Sequence, residues 1–322
     1  MACSKYYRPL FFGVVLVAYH FHSIYSGFPP ASNNPNVTLV TKKFPETAIQ
    51  RNAGTGWKMI NFLDPGIVEE ENCDLVSFKS TTGNSTEMCV HNIRDFVSDA
   101  IRRKGRWADC DPLPKLWNAA KTGAKNEVYV EIGANIGSCV MEMLMSTDAN
   151  IVAFEPTPRN YELLSTTISL LGPKFQQRVA LLPIALGSES VKSQVYSAEG
   201  NMGNSVVGKE IKDFGSQQMN KPVDIFIERM DSVLSNDVSI PLMKLDAQGF
   251  ECQILDGWSP ETAESINQIK FEVAGKWLNQ QGCTDLLPRL RNFGFVITGG
   301  NGAIIASDKV NCGVCDAYAT KK

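Results

Sequence analysis

From residue 126 onward, apolar positions fall into short runs separated by polar turns, and the runs alternate between two periods. Glu127-Val-Tyr-Val-Glu-Ile132 and Ile151-Val-Ala-Phe154 are runs of strand length, rich in β-branched and aromatic residues. Between and after them, 137–146 and 160–171 carry apolar residues at helical spacing. The same pattern predicts strands over 179–186, 240–245 and 269–273, a helix beginning at Phe250 and another over 285–292. A last pair of runs, 295–298 and 303–306, brackets Gly299-Gly-Asn-Gly302 and predicts a closing hairpin. Alternating strands and helices imply an α/β domain over 123–322: a doubly wound, mostly parallel sheet with an antiparallel strand at one edge. Residues 187–236 interrupt the alternation with strand-like 192–196 and 223–228, an inserted hairpin or lid.

The pattern upstream is different. In 92–104, Ile93, Phe96, Val97, Ala100 and Ile101 recur at i, i+3, i+4, i+7 and i+8, one apolar helix face within a small cap over 73–122. Residues 28–72 are rich in Pro, Asn, Gly and Thr and read as a stem. In 1–27, Lys5 and Arg8 precede an apolar run from Leu10 to Tyr19, as in a signal anchor or, alternatively, a cleaved signal peptide. This predicts a secretory-pathway protein, held in the Golgi membrane with its domain in the lumen, or secreted. Glycosylation sequons at Asn36-Val-Thr38 and Asn84-Ser-Thr86 agree. Of nine cysteines, Cys3 precedes the apolar run. Cys73, Cys89, Cys110, Cys283, Cys312 and Cys315 sit in loop-like contexts that suit disulfides, whereas Cys139 and Cys252 lie in helical patterns and read as core thiols.

Composition removes several function classes. The net charge is −3, and the best basic cluster, Arg102, Arg103, Lys104 and Arg106, reads as a solvated helix end, so no nucleic-acid partner is expected. His20, His22 and His91 are the only histidines, which excludes a histidine triad or a histidine-rich zinc site. No metal is expected: Cys312-Gly-Val-Cys315 lacks a second such pair, and Asp246 with Glu272 lacks a third ligand.

Candidate chemistry lies at the carboxyl ends of the strands. The first strand ends in Glu131-Ile-Gly-Ala-Asn-Ile-Gly137, where Gly133 and Gly137 let backbone approach a ligand. A dinucleotide fingerprint would need a third glycine at 135, which is Asn. An acid-x-Gly-x-x-x-Gly turn suits S-adenosylmethionine instead, Glu131 facing its ammonium group while Asn135 and the backbone take its polar tail. The second strand ends in Phe154-Glu-Pro156, and Glu155 is placed to accept both hydroxyls of a ribose. In Pro241-Leu-Met-Lys-Leu-Asp246, strand alternation puts Lys244 and Asp246 on one face; in 269–273 it does the same for Lys270 and Glu272. Charges inside central strands are costly unless paired or functional, which marks Asp246, Glu272 and Lys244 as catalytic candidates. Lys270 reads as exposed near an edge.

Taken together, Glu131-Ile-Gly-Ala-Asn-Ile-Gly137, Phe154-Glu-Pro156, Lys244-Leu-Asp-Ala-Gln-Gly-Phe-Glu251 and Leu255-x-Gly257 resemble the FkbM-type S-adenosylmethionine-dependent methyltransferases over roughly 125–300. Asn204-Ser205 and Phe271-Glu272 also look like that family's pattern. Members typically show Val-Glu-Gly after the strand-end Asp, where this chain has Ala247-Gln-Gly249. The resemblance implies a seven-stranded, Rossmann-like class I methyltransferase sheet and methyl transfer to a hydroxyl oxygen. The expected acceptor is a glycan or other small molecule. The expected cofactor-binding set is Glu131, Gly133, Asn135, Gly137, Glu155 and Asp246. Competing readings are an NAD or nucleotide-sugar enzyme on the same architecture, and a binding module that has lost catalysis.

Overall fold

The computed structural model describes residues 73–210, 219–308 and 314–321. The expected anchor (1–27), the stem (28–72), the Asn36 sequon and Cys312 lie outside the described residues. Among the described residues no helix is long and apolar enough to cross a membrane.

The cap begins with β1 (Cys73–Lys79) and β2 (Ser85–His91), an antiparallel hairpin in which Cys73 faces His91. Asn84 is exposed in the connecting turn. Helix α1 (Phe96–Lys104) follows, its first turn capped by the Asp95 carboxylate, which accepts from Ser98 N at 2.9 Å. It closes on Gly105 in the left-handed region, φ 73°. Arg102, Arg103 and Lys104 fill the last turn, where they favour the helix dipole, and Arg102 pairs with Asp74 and Asp99. The sequence places this helix at 92–104; it starts four residues later because Asp95 is the stronger cap, and Ile93 is left 56% exposed. A 3₁₀ turn (Ala108–Cys110) and α2 (Leu113–Ala120) complete the cap.

The alternating part runs β3 (Glu127–Ile132), α3 (Ser138–Ser146), β4 (Asn150–Phe154), α4 (Pro158–Leu170), α5 (Pro173–Gln176) and β5 (Val179–Leu182). Then come β6 (Ala185–Leu186), β7 (Val191–Ala198), β8 (Asn201–Val207), β9 (Val223–Glu228) and α6 (Met230–Val233). The predicted strand 179–186 thus breaks in two, and the interruption forms a separate four-stranded sheet in the order β6-β9-β7-β8 rather than a lone hairpin. Alternation resumes with β10 (Ser239–Leu245), α7 (Glu251–Asp256), α8 (Pro260–Glu264), β11 (Gln268–Ala274), α9 (Gly275–Gln281), α10 (Leu286–Asn292), β12 (Phe295–Gly299) and β13 (Val314–Lys321).

The large sheet has seven strands in the order β12-β13-β11-β10-β3-β4-β5. The pairs from β11 to β5 are parallel, and β13 runs antiparallel to both its neighbours. The expected closing hairpin forms only as a short turn, Gly299 N donating to Ala303 O and Ile305 N to Ile297 O at 2.9 Å around one bridge between Thr298 and Ile304, and the extended ladder of β12 is with β13. Nor does the antiparallel strand lie at the edge. It sits second, because Ala317 and Ala319 are fully buried and small enough to pack between strands that carry larger side chains.

Period-two alternation assigns the faces. Val128, Val130, Ile132, Val152, Phe154, Met243, Leu245, Ile269 and Phe271 build one core. Tyr129, Ile151, Ala153, Leu181 and Leu242 face the other way, against α3, α4 and the cap residues Phe78, Met88 and Trp117. Disulfides Cys73–Cys89, Cys110–Cys139 and Cys252–Cys283 staple hairpin, cap and helices, and Cys315 is also disulfide-bonded. This corrects the reading of Cys139 and Cys252 as free thiols. They are buried, as their helical pattern implied, but each meets a cysteine from a distant segment.

Candidate active site

Strand order reverses between β3 and β10, and at such a point the loops leaving adjacent parallel strands diverge and open a crevice. The residues between β3 and α3 form its floor. Gly133 N and Ala134 N both donate to Phe154 O at 3.0 Å, bending the chain over the end of β4. Gly133 adopts φ 81°, and a Cβ there would lie 1.9 Å from the Asp246 carbonyl oxygen. Asn135 is left-handed, φ 53°, its own Oδ1 accepting from Ile136 N at 2.8 Å. One short turn therefore touches the end of β10 through Gly133 and, through Asn135, the end of β4: Asn135 N donates to Glu155 Oε2 at 2.7 Å. Gly137 is different. It does not line the cavity; its φ of 87° opens α3, and a Cβ would strike Leu164 at 2.1 Å.

Glu155 is buried and held on both oxygens. Oε1 accepts from Thr157 N at 2.9 Å and from Asn160 Nδ2 at 3.4 Å. Burial raises its pKa above the usual carboxylate value despite these donors. Asn160 in turn meets His91 Nε2 at 3.0 Å, tying the strand end to the cap.

On the cap side of the sheet, Glu131, Lys244 and Lys270 lie side by side in register on β3, β10 and β11. Tyr129 OH donates to Glu131 Oε2 at 3.1 Å. Burial pushes Glu131 up to about 7, with Lys244 pulling the other way. Lys244 Nζ donates to Asp246 Oδ2 at 2.9 Å and stands 3.9 Å from Asp109 Oδ2. Burial opposes its charge, yet the carboxylates of Asp246, Asp109 and Glu131 hold its pKa above the usual lysine value. Lys270, expected at the surface, is only 2% exposed; it donates to Asp109 and, at 3.0 Å, to Asp316.

Beyond Asp246 the chain turns through Gln248, left-handed at φ 52°, whose Nε2 donates to Asp246 Oδ1 at 2.6 Å and to Glu272 Oε2 at 3.4 Å. Glu251 closes this turn from below, its Oε1 accepting from Ala247 N and Gly249 N at 3.0 and 3.3 Å. Burial and then the Asp246 charge push Glu272 up to about 8.

These pieces enclose one cavity of about 210 Å³, lined by Glu131, Gly133, Asn135, Glu155, Lys244, Asp246, Gln248 and Glu272. Every candidate named from the sequence except Gly137 reaches it. The cap and the insertion, expected from the sequence to shape the acceptor site, supply further walls through residues it did not single out, among them Phe96 and Trp107 from the cap and Asn201 from β8. Gly203 of β8 is packed against Asn135, where a Cβ would fall 2.6 Å from Nδ2. Phe96 is 58% exposed and meets Trp107 edge to face, ring centres 5.5 Å apart. Tyr129 was within reach of the sequence, sharing a strand face with Glu131; Asp109 was not.

The Methyltransferase FkbM domain family matches residues 131–297. The chain belongs to the FkbM methyltransferase family. Its methyl donor is S-adenosylmethionine, and the cavity's donor set suits a ligand with a diol at one end and an ammonium group at the other: buried Glu155 and Glu131 on either side of a turn that glycine keeps clear. Among solved structures, the FkbM chain is similar to an S-adenosylmethionine-dependent O-methyltransferase of Thermotoga maritima, with 11% identity, 78% of each chain covered and a TM-score of 0.37. It is also similar to precorrin-6y C5,15-methyltransferase of Geobacter metallireducens, with 12% identity, 65% of this chain and 86% of that one covered, and a TM-score of 0.34. No curated protein sequence matches it.

Proposed function

We propose that this FkbM protein is an O-methyltransferase acting on a hydroxyl group of a glycan or secreted metabolite in the secretory pathway. The observation that carries the reading is the single cavity in which the Glu155 turn and the Asp246–Gln248–Glu272 group face a common space.

When bound, S-adenosylmethionine supplies an electrophilic methyl group. Glu155 would accept the ribose hydroxyls, Glu131 would take the ammonium group, and Asn135 with the turn backbone would hold the polar tail. Asp246 has one oxygen on Lys244 and the other on Gln248, so it is a fixed acceptor that orients the incoming hydroxyl. Among the described residues Glu272 makes one long hydrogen bond, from Gln248, and its pKa is raised to about 8. In its ionised form it would take the hydroxyl proton, while the methyl group passes to the acceptor oxygen and S-adenosylhomocysteine leaves. Lys244 holds Asp246 in place, and proximity supplies much of the rate. The amide at position 248 donates to both carboxylates, whereas a glutamate there would offer no donor when ionised and a single one when protonated.

Three features support the acceptor class and compartment. The exposed Phe96 ring and Trp107 border the cavity with an apolar platform, and Asn201 and Asn204 offer amides, a combination suited to a sugar ring. The disulfides suit an oxidising compartment. Asn84 presents its sequon on an exposed turn.

The test is calorimetry with S-adenosylhomocysteine and NAD, followed by tritiated methyl transfer to a pool of cell-surface glycopeptides. The reading expects binding of the first ligand alone and label in the glycan. Binding of NAD instead, or homocysteine-nucleoside binding with no label in any hydroxyl-bearing fraction, overturns it.

A further inference from the structure

The charged residues that line the cavity all lie within the family segment 131–297, but the ion-pair network behind them does not. Lys244 and Lys270 lie directly opposite each other on adjacent strands, both buried. Two ammonium groups in that arrangement repel, and removing water strengthens the repulsion. What separates them comes from outside the segment. Asp109, in the 3₁₀ turn of the cap, accepts from Lys270 through Oδ1 and places Oδ2 3.9 Å from Lys244 Nζ. The neighbouring residue, Cys110, is tied by a disulfide to Cys139 in the first turns of α3, at a Cα separation of 4.9 Å. The cap is thereby fastened to α3 next to Asp109.

We propose that Asp109 is a positioning residue for the site: by neutralising Lys270 and sharing Lys244, it keeps the Lys244 ammonium on Asp246 and sets the charge balance felt by Glu272. The groups that face Glu272 are Asp246 and Lys244 from β10, Glu251 from α7 and Asp109 from the cap, while Lys270 and Asp316 close the network on the β13 side. Within it, Asp109 is the acid that touches both lysines. Replacing it by a neutral side chain leaves Lys270 with the half-exposed Asp316 alone and lets the two ammonium groups push apart. Lys244 then no longer holds one Asp246 oxygen in a fixed place. The proposal rests on the methyl-transfer reading for its catalytic consequence, but not for its electrostatic one.

The experiment follows Glu272 by carbon-13 NMR in ligand-free protein labelled at glutamate, the resonance assigned by its loss in Glu272→Gln. In Asp109→Asn the Glu272 midpoint is expected to fall by about one unit. In Lys270→Met, which keeps the acid and removes a cation, it is expected to rise. In both, methyl transfer to the glycopeptide pool is expected to drop about tenfold in kcat with little change in KM, and Asp109→Glu is expected to restore most of it. Should Asp109→Asn fail to fold, Lys270→Met carries the test by itself. An unmoved Glu272 midpoint in a folded variant, or unchanged kcat, overturns the proposal and leaves Asp109 as a packing residue. Absence of S-adenosylhomocysteine binding in the wild type would instead count against the methyltransferase reading, while the titration would still decide the role of Asp109.

Discussion

Glu272 is held in the folded chain with a carboxyl pKa of about 8, against 4.5 for the free side chain, because burial and the neighbouring Asp246 charge both oppose ionisation. A group whose proton is held more tightly in the folded state favours folding fully below pH 4.5, where both states are protonated. Its contribution is then lost as pH rises towards 8, since the unfolded chain releases the proton first. The difference of roughly 3.5 units corresponds to on the order of 4–5 kcal/mol. Glu272→Gln removes this term while retaining shape and an oxygen that accepts from Gln248. The variant is therefore expected to match the wild type near pH 4.5 and to become progressively more stable than it up to about pH 8, with a constant gap above that. For a domain of this size, one kcal/mol moves Tm by roughly 2–4 °C, so the gap amounts to about 8–20 °C. The assay is thermal unfolding by circular dichroism of both proteins, disulfides intact, between pH 4.5 and 9. Glu131 and Glu251, each pushed up to about 7 chiefly by burial, keep a slope in both proteins, so the difference curve is the quantity to read. A flat difference, or a wild type that gains on the variant with rising pH, refutes the electrostatic account of the site.

Other consequences follow from single contacts. Asp246→Asn keeps the shape but removes the charge and leaves one acceptor where Lys244 and Gln248 both donate; S-adenosylhomocysteine affinity measured by calorimetry is expected within about threefold of wild type, with methyl transfer reduced about a hundredfold or more. Gly133→Ala drives a Cβ to within 1.9 Å of the Asp246 carbonyl oxygen at φ 81°, so the loops at β3 and β10 must separate. A loss of about 3 kcal/mol or more in urea unfolding, together with loss of ligand binding, is expected. Replacing both Cys110 and Cys139 by Ser frees the cap from α3; protease cleavage between β2 and α2 is expected to accelerate before global unfolding does, as mass spectrometry of the fragments would show. Glycosidase treatment of secreted protein is expected to reduce its mass by an N-glycan at Asn84, a shift that Asn84→Gln abolishes.

The parts of this protein legible in its sequence are those whose signal is local. Strands β3, β4, β10 and β11 are buried over most of their length because both their faces are covered, and their β-branched and aromatic residues admit few other readings. Lys244, Asp246 and Glu272 stood out for the same reason: a charge inside such a run costs too much to be incidental. What the sequence hid depends on partners far along the chain. Strand β13 reads Val-Cys-Asp-Ala-Tyr-Ala-Thr-Lys, too polar and too rich in alanine to be recognised as a strand, and only its neighbours turn Ala317 and Ala319 into core. Cys139 looks the same in sequence whether it is a thiol or half of a disulfide, since the outcome is set by Cys110, twenty-nine residues away. Lys270 was the hardest case. A lysine beside an acid on a strand is ordinarily solvated, and its burial depends on Asp109, 161 residues earlier. A strand can carry an internal lysine only if the rest of the fold delivers the counter-charge, so the cap and the sheet face it covers specify each other. A cap outside the family match thus both supplies a wall of the cavity and carries Asp109 to the charged face of β10 and β11.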